Sequence, residues 1–168
     1  MYYGHAAEVA IRAALYLGGR PPGMLSPVQD VAAATELPKA YLSKVIQRLA
    51  QAGLVRTFRG PGGGIELGKS PDAITLWSLV HATEGRADAD RCVLGIGNCS
   101  EVNPCALHAR WAPLRDESRR LLEDTTLAAV LRELPKAQNE KKPAVRATVR
   151  RRGANPLHEN TSERQGRP

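Results

Sequence analysis

All three cysteines of the chain fall within one short stretch, CVLGIGNCSEVNPCALH, at Cys92, Cys99 and Cys105, with six residues between the first pair and five between the second. Gly95, Gly97, Asn98, Ser100, Asn103 and Pro104 between and beside them favour turns over regular structure, so the thiols belong to a loop. Soft thiolates select zinc, copper(I) or iron-sulfur centres. Each of these prefers four ligands, which leaves the trio one short. His108, one helical turn beyond Cys105, is the nearest donor able to complete the set.

Other chemistries compete for the same residues. Clustered loop thiols oxidise readily to disulfides, so a metal-free redox switch suits the stretch too. A disulfide framework suits it less well, because an odd count leaves one thiol over and no export signal precedes the chain. Single cysteines are often core packing, but these are clustered. A zinc-stabilised Cys3His module is the remaining metal alternative. No base with an orienting carboxylate surrounds any cysteine in a recognisable pattern, which argues against a thiol enzyme.

The elements that must position this loop follow from charge and periodicity. The 168 residues suit one domain with an appended tail, and the net charge of +7 is unevenly spread. Residues 136–168 carry nine Lys/Arg against three Asp/Glu; within the body, residues 38–60 hold Lys39, Lys44, Arg48, Arg56 and Arg59 and no acid, whereas residues 70–135 have seven bases against ten acids. The body is thus basic at one end and acidic at the other. An apolar segment from Tyr2 to Leu17 predicts a buried helix, too short and too interrupted by Glu8 and Arg12 to span a membrane, so the expected location is cytoplasmic, with no membrane partner.

Ser26, Pro27 and Gln29 have the spacing of a capping box at the start of a short second helix. Pro38 opens a third that runs to Ala52 and ends at Gly53; Leu42, Val45, Ile46 and Leu49 form its apolar stripe, opposite Lys39, Ser43, Lys44, Gln47 and Arg48. Leu54–Arg59, the glycine turn Gly60–Gly64 and Ile65–Leu67 then predict a β-hairpin. Two short helices followed by a hairpin describe a winged helix-turn-helix whose second helix enters the major groove of double-stranded DNA. On that footing Lys39, Tyr41, Ser43 and Lys44 face base edges, and Arg48, Arg56 and Arg59 face phosphates or a minor groove. Gly62 and Gly63, lacking side chains, allow close backbone approach.

Thr75 caps a further helix carrying Leu76, Trp77, Leu79 and Val80, which Glu84-Gly85 closes. Beyond the cysteines, Leu107, Trp111, Leu114, Ser118, Leu121 and Thr125 recur at alternating four- and three-residue steps, a heptad seam suited to packing against a second copy. Pro113 either kinks this helix or marks its true first turn. Thr126 caps a last short helix through Leu134. The expected fold is mainly α with a small β wing. A winged helix-turn-helix domain spans residues 1–85, a cysteine-bearing cluster loop 86–105, a dimerisation helix with a short terminal helix 106–134, and a basic tail, expected to be disordered, 135–168.

The YLSKVIQRLAQAGLV helix, the RGPGGGIEL wing, the ITLWSLVHATEG segment and the three cysteines together resemble the Rrf2 family of bacterial winged-helix regulators, over residues 2–134. The resemblance implies a homodimer on a DNA operator and, in cysteine-bearing members of the IscR and NsrR kind, a two-iron or four-iron iron-sulfur cluster sensing nitric oxide, redox state or iron-sulfur status. Carried over residue by residue, it gives Cys92, Cys99 and Cys105 as ligands. The fourth is either His108, as in IscR-like members, or Glu8 supplied by the partner subunit, as in NsrR-like ones. The first gap of six residues departs from the family's usual five. The expected function is a DNA-binding regulator, a repressor, controlled by that cluster, with a cluster-free thiol switch or a zinc-stabilised module as alternatives.

Overall fold

A computed structural model describes residues 3–85, 92–96 and 99–134. Expectations about Tyr2, about residues 86–91 of the cysteine-bearing loop, about Gly97 and Asn98 and about the tail from residue 135 lie outside the described residues. Helix α1 (His5–Gly18) buries Ala7, Val9, Ala10, Ala13, Ala14 and Leu17; the apolar positions of the sequence point to Ala6 in place of Ala7, and Ala6 is only half-buried. Its N-cap, Gly4, offers no side chain; instead the Glu84 carboxylate, from the far end of another helix, accepts from the Ala7 N–H at 3.1 Å. A Cβ on residue 4 would stand 2.8 Å from Glu84 Oε2, so glycine makes room for this remote cap. A carboxylate at a helix N-terminus pairs with both an orphan N–H and the helix dipole. Glu84→Ala is therefore expected to cost about 1 kcal/mol and lower the thermal midpoint by a few degrees in a calorimetric scan, with Glu84→Gln in between.

Helix α2 (Val28–Thr35) begins one residue later than the capping-box spacing implies. The correction has a tertiary cause. Ser26 is buried and its backbone exchanges two hydrogen bonds with Ile65, N to O at 2.9 Å and O to N at 2.8 Å, so it forms a one-residue bridge to the wing and no side chain caps α2. Helix α3 (Lys39–Gln51) follows Pro38 and buries Leu42, Val45, Ile46 and Leu49. Gly53, at φ 69°, takes the left-handed cap as expected, and Leu54 N–H returns to Leu49 O at 2.9 Å.

Strands β1 (Val55–Phe58) and β2 (Gly64–Leu67) pair antiparallel, Val55 opposite Leu67 and Phe58 opposite Gly64. Gly64 is where the wing meets Ser26: a Cβ there would lie 2.8 Å from the Ser26 carbonyl oxygen. After a 3-10 turn at Pro71–Ala73, helix α4 (Leu76–Glu84) is capped by Thr75, whose Oγ1 accepts from Ser78 N–H at 3.1 Å. Helix α5 (His108–Asp124) buries His108, Ala112 and Leu122 and contains Pro113 in its interior, not in its first turn. Helix α6 (Leu127–Glu133), capped by Thr126, returns to the body: Leu127 N–H donates to Ile74 O, Leu76 N–H to Thr125 O, and Leu127 is fully buried.

One aliphatic core joins α1, α2, α3, the wing and α6, with Leu42, Leu49, Ile65, Ile74, Leu79 and Leu127 at its centre; a smaller cluster of Ala7, Val80 and Leu122 seats α5. Trp77 packs as expected, with the Arg119 guanidinium 4.8 Å over its ring, tying α5 to α4. The architecture is mainly helical with a two-stranded wing. No helix among the described residues is long and apolar enough to cross a membrane.

Candidate functional site

The cysteine loop leaves the C-terminus of α4 and enters the first turn of α5. Its turns are built locally. Gly95, at φ 67°, closes a turn from Cys92 O to its own N–H at 2.9 Å; Ser100 and Asn103 exchange backbone hydrogen bonds at 3.1 Å each; and His108 N–H donates to Cys105 O at 3.0 Å. These turns fold the three thiols together. Their Sγ atoms all lie within 4.8 Å of one another, with Cys92 and Cys105 only 3.4 Å apart. Cys99 Sγ stands 3.2 Å from His108 Nδ1, so the buried imidazole adjoins the trio at Cys99, outside the group of mutually close donor atoms that the three thiols form. Three convergent thiols, with an imidazole beside one of them to supply a fourth donor, are chemically the set that zinc and iron-sulfur centres use, and the residues present fit such a group.

The thiols differ in acidity. Hydrogen bonding from the Leu94 backbone, with help from the neighbouring thiols, holds Cys92 below the usual thiol range despite some desolvation. The Cys105 backbone N–H likewise favours the thiolate of Cys99, but desolvation and the two neighbouring sulfurs outweigh it and push Cys99 up. On the far side of the ring, His108 Nε2 lies 3.1 Å from Glu101 Oε1. Sequence spacing shows no base and orienting carboxylate around a cysteine, and here the structure corrects it: Cys99, His108 and Glu101 stand in line. The sulfur in that line is the one whose proton is held more tightly, the reverse of an activated nucleophile. A carboxylate behind a histidine is equally the arrangement that orients a metal ligand. Glu101 is the residue that sequence inspection misses. Glu8, the other fourth-ligand candidate, lies on α1 between His5 Nδ1 at 3.5 Å and Arg12 at 3.7 Å, while Arg12 also donates to Thr35 O.

On the opposite side of the molecule's sequence, α3 and the wing carry the basic residues. Lys39 and Lys44 are exposed on α3, with Ser43 Oγ donating to Lys39 O at 2.9 Å; Arg59 and Gly62 are exposed at the wing tip, and Gly63 is half-buried beside them. Gly62 has φ 78°, and a Cβ on residue 63 would stand 2.3 Å from Phe58 O, so the turn demands both glycines. Three of the expected DNA residues are engaged within the protein. Tyr41 stacks on His5 with ring centroids 5.2 Å apart, Arg56 pairs across the hairpin with Glu66 at 2.9 Å, and Arg48 donates from Nη1 to Thr83 O at 2.7 Å. Arg48 thus fastens α3 to the last turn of α4, next to the residue that caps α1.

Comparison with known proteins agrees with this architecture. The family described as "Rrf2: Iron-dependent Transcriptional regulator" matches residues 3–133. A protein of Aquifex aeolicus (strain VF5) that carries the name of an HTH-type transcriptional regulator is 30% identical over 129 residues, 76% of this chain and 89% of that one. The HTH-type transcriptional regulator IscR of Escherichia coli (strain K12 / DH10B) is 34% identical over 105 residues, which is 62% of this chain and 64%, just under two thirds, of IscR. Among solved structures, the Bacillus subtilis global cysteine regulator CymR superposes with a TM-score of 0.64 at 24% identity, covering 79% of this chain and 97% of that one. The IscR of T. potens gives 0.64 at 22%, covering 80% and 89%. At such identities these structures speak for the winged-helix fold.

Proposed function

We propose that this chain, which belongs to the Rrf2 family of winged-helix transcriptional regulators, is a repressor that binds its operator as a homodimer with an affinity set by an iron-sulfur centre held by Cys92, Cys99, Cys105 and His108. The observation that carries this reading is the convergence of all three thiols, with a buried imidazole beside Cys99, between the DNA-reading module and α5. When bound, such a centre supplies reactivity toward oxidants and nitric oxide and a dependence on iron-sulfur supply. The protein's part is mechanical. Cys92, Cys99, Cys105 and His108 would hold the centre beside the first turn of α5, on the stretch of chain that follows α4. Arg48, seated on Thr83 O, passes the position of α4 to α3. A coupling of about 1–3 kcal/mol, roughly 5- to 150-fold in affinity, suffices for regulation.

At the DNA, Lys39, Ser43 and Lys44 face base edges from α3, flanked by the exposed rim of Tyr41, and Arg59 reaches the backbone or minor groove beside Gly62 and Gly63. Arg59→Ala is expected to weaken operator binding and to flatten the plot of log affinity against log salt by about one unit per protomer, as one phosphate contact is lost. Arg48→Ala is expected to lower thermal stability and leave that slope unchanged. Titrations at several salt concentrations separate the two.

A second reading has its own observation: Cys92 and Cys105, at 3.4 Å, are placed for a disulfide, so a cluster-free thiol switch uses the same loop. Purification without air, followed by an absorption spectrum and iron, sulfide and zinc counts, tells these apart. A coloured protein with iron and sulfide supports the cluster. A colourless zinc protein, or a metal-free one whose operator affinity follows its disulfide, overturns it.

A further inference from the structure

We propose that Glu101 is a positioning residue for the metal centre, its carboxylate holding the His108 ring by Nε2 so that Nδ1 is presented to the thiol cage as the ligating atom. This rests on the cluster reading above and adds to it a residue outside the ligand set. A carboxylate has no proton to give, so the 3.1 Å contact requires Nε2 to carry the hydrogen. In the neutral ring the lone pair is then on Nδ1, which lies 3.2 Å from Cys99 Sγ. The contact with Glu101 thus favours the orientation of the ring in which Nδ1 faces the thiols.

The geometry around Glu101 explains why this residue can do it. The reciprocal backbone bonds of Ser100 and Asn103 close a turn that has Glu101 within it, while Cys105 N–H donates to Cys99 Sγ at 3.5 Å, holding the same turn against the cage. The imidazole is almost fully buried, with 9% of its side chain exposed, whereas the carboxylate is 86% exposed and reaches the ring from solvent. Such outer partners typically contribute 10- to 100-fold in metal affinity, and an exposed one, which water can partly replace, belongs at the low end.

The test uses the full chain reconstituted without air with ferrous iron and sulfide. Glu101→Ala is expected to lose iron to EDTA about tenfold faster than the native protein. The reduction midpoint of the centre should rise, because the ligand loses electron donation, and the imidazole nitrogen hyperfine coupling of the reduced centre should change as the ring is freed. Glu101→Gln keeps an acceptor but not the charge, so it should restore the native hyperfine coupling while the midpoint stays raised. A Glu101→Ala protein with native chelation rate, midpoint and hyperfine coupling overturns the proposal. So does a His108→Ala protein with an unchanged spectrum, which removes His108 as a ligand while leaving the cluster reading intact. A native protein that takes up no iron and sulfide removes both.

Discussion

Serine at positions 92, 99 and 105 together is expected to abolish iron and sulfide uptake and to make operator affinity indifferent to iron status. The three sulfurs supply most of the cage, and their hydroxyl replacements are hard, weakly acidic donors that do not hold an iron-sulfur core. His108 alone is a single ligand. The fold should survive, because the buried core of the DNA-reading module is aliphatic, contains none of these cysteines, and each cysteine is only half-buried. Far-ultraviolet circular dichroism and the thermal midpoint should therefore match the native protein's, while the regulated change in affinity, about 5- to 150-fold, disappears. Binding measured by electrophoretic shift, with and without iron, checks this. If the serine protein still loads iron, or if stripping iron from the native protein leaves its operator affinity unaltered, the sensing role is lost and the winged-helix regulator remains.

Single substitutions refine the prediction. Cys92 is the thiol held below its usual range, hence the first to offer a thiolate, and Cys99 is pushed the other way. These opposite tendencies arise within one loop because backbone N–H groups near Leu94 favour one anion, whereas crowding by two neighbouring sulfurs disfavours the other.

The parts of this molecule that sequence conveys are those fixed by local rules. Gly53 is left-handed because a helix must stop there, Thr75 and Thr126 cap because their hydroxyls meet the next turn, and the wing turns at Gly62 because its φ is positive and at Gly63 because a Cβ would collide with Phe58 O. The cysteine trio is legible for the same reason: it is confined to a short segment of turn-forming residues. What sequence conceals depends on distant partners. Ser26 has the spacing of a capping residue, yet Ile65 claims its backbone, and a strand bridge between residues so far apart leaves no local mark. Gly4 looks like a simple helix start and is in fact a socket for Glu84, 80 positions away. Arg48 belongs to a basic face by periodicity, but the free carbonyl at the end of α4 lies within its reach and takes its guanidinium. Glu101 and His108 come together only because the loop folds back on itself. Each of these is a polar group meeting an unpaired polar group across the fold, the class of contact that periodicity does not encode.

Replacing Leu114 and Leu121 by glutamate is expected to convert the protein to a monomer and to reduce operator affinity by a factor on the order of 1,000 or more. Leu107, Leu114 and Leu121, seven residues apart, remain 39%, 56% and 66% exposed, a stripe of leucine on the face of α5 turned away from α4. The adjoining side of the helix is spent: Leu122 packs with Ala7 and Val80, Ala112 is buried, and His108 is buried against the cysteine loop. The polar members of the seam are already satisfied, since Ser118 Oγ donates to Leu114 O at 2.8 Å and Thr125 Oγ1 to Leu121 O at 2.6 Å, so burying them against a second helix costs no hydrogen bond. Covering six partly exposed leucines, three from each copy, gains roughly 1 kcal/mol apiece by area. Glutamate removes that gain and brings like charges together. Because both positions are exposed in a single protomer, the change in its own stability should stay near 0.5 kcal/mol or less, which keeps the readout clean. The consequence for DNA follows from two-fold symmetry. A dimer reads two half-sites at once, whereas a monomer retains one winged helix and falls toward nonspecific affinities of about 10⁻⁴–10⁻⁶ M. Sedimentation equilibrium gives the mass and a shift assay the affinity. A glutamate protein that stays dimeric would place the interface on another surface, and a monomer with undiminished operator affinity would show that one reader suffices.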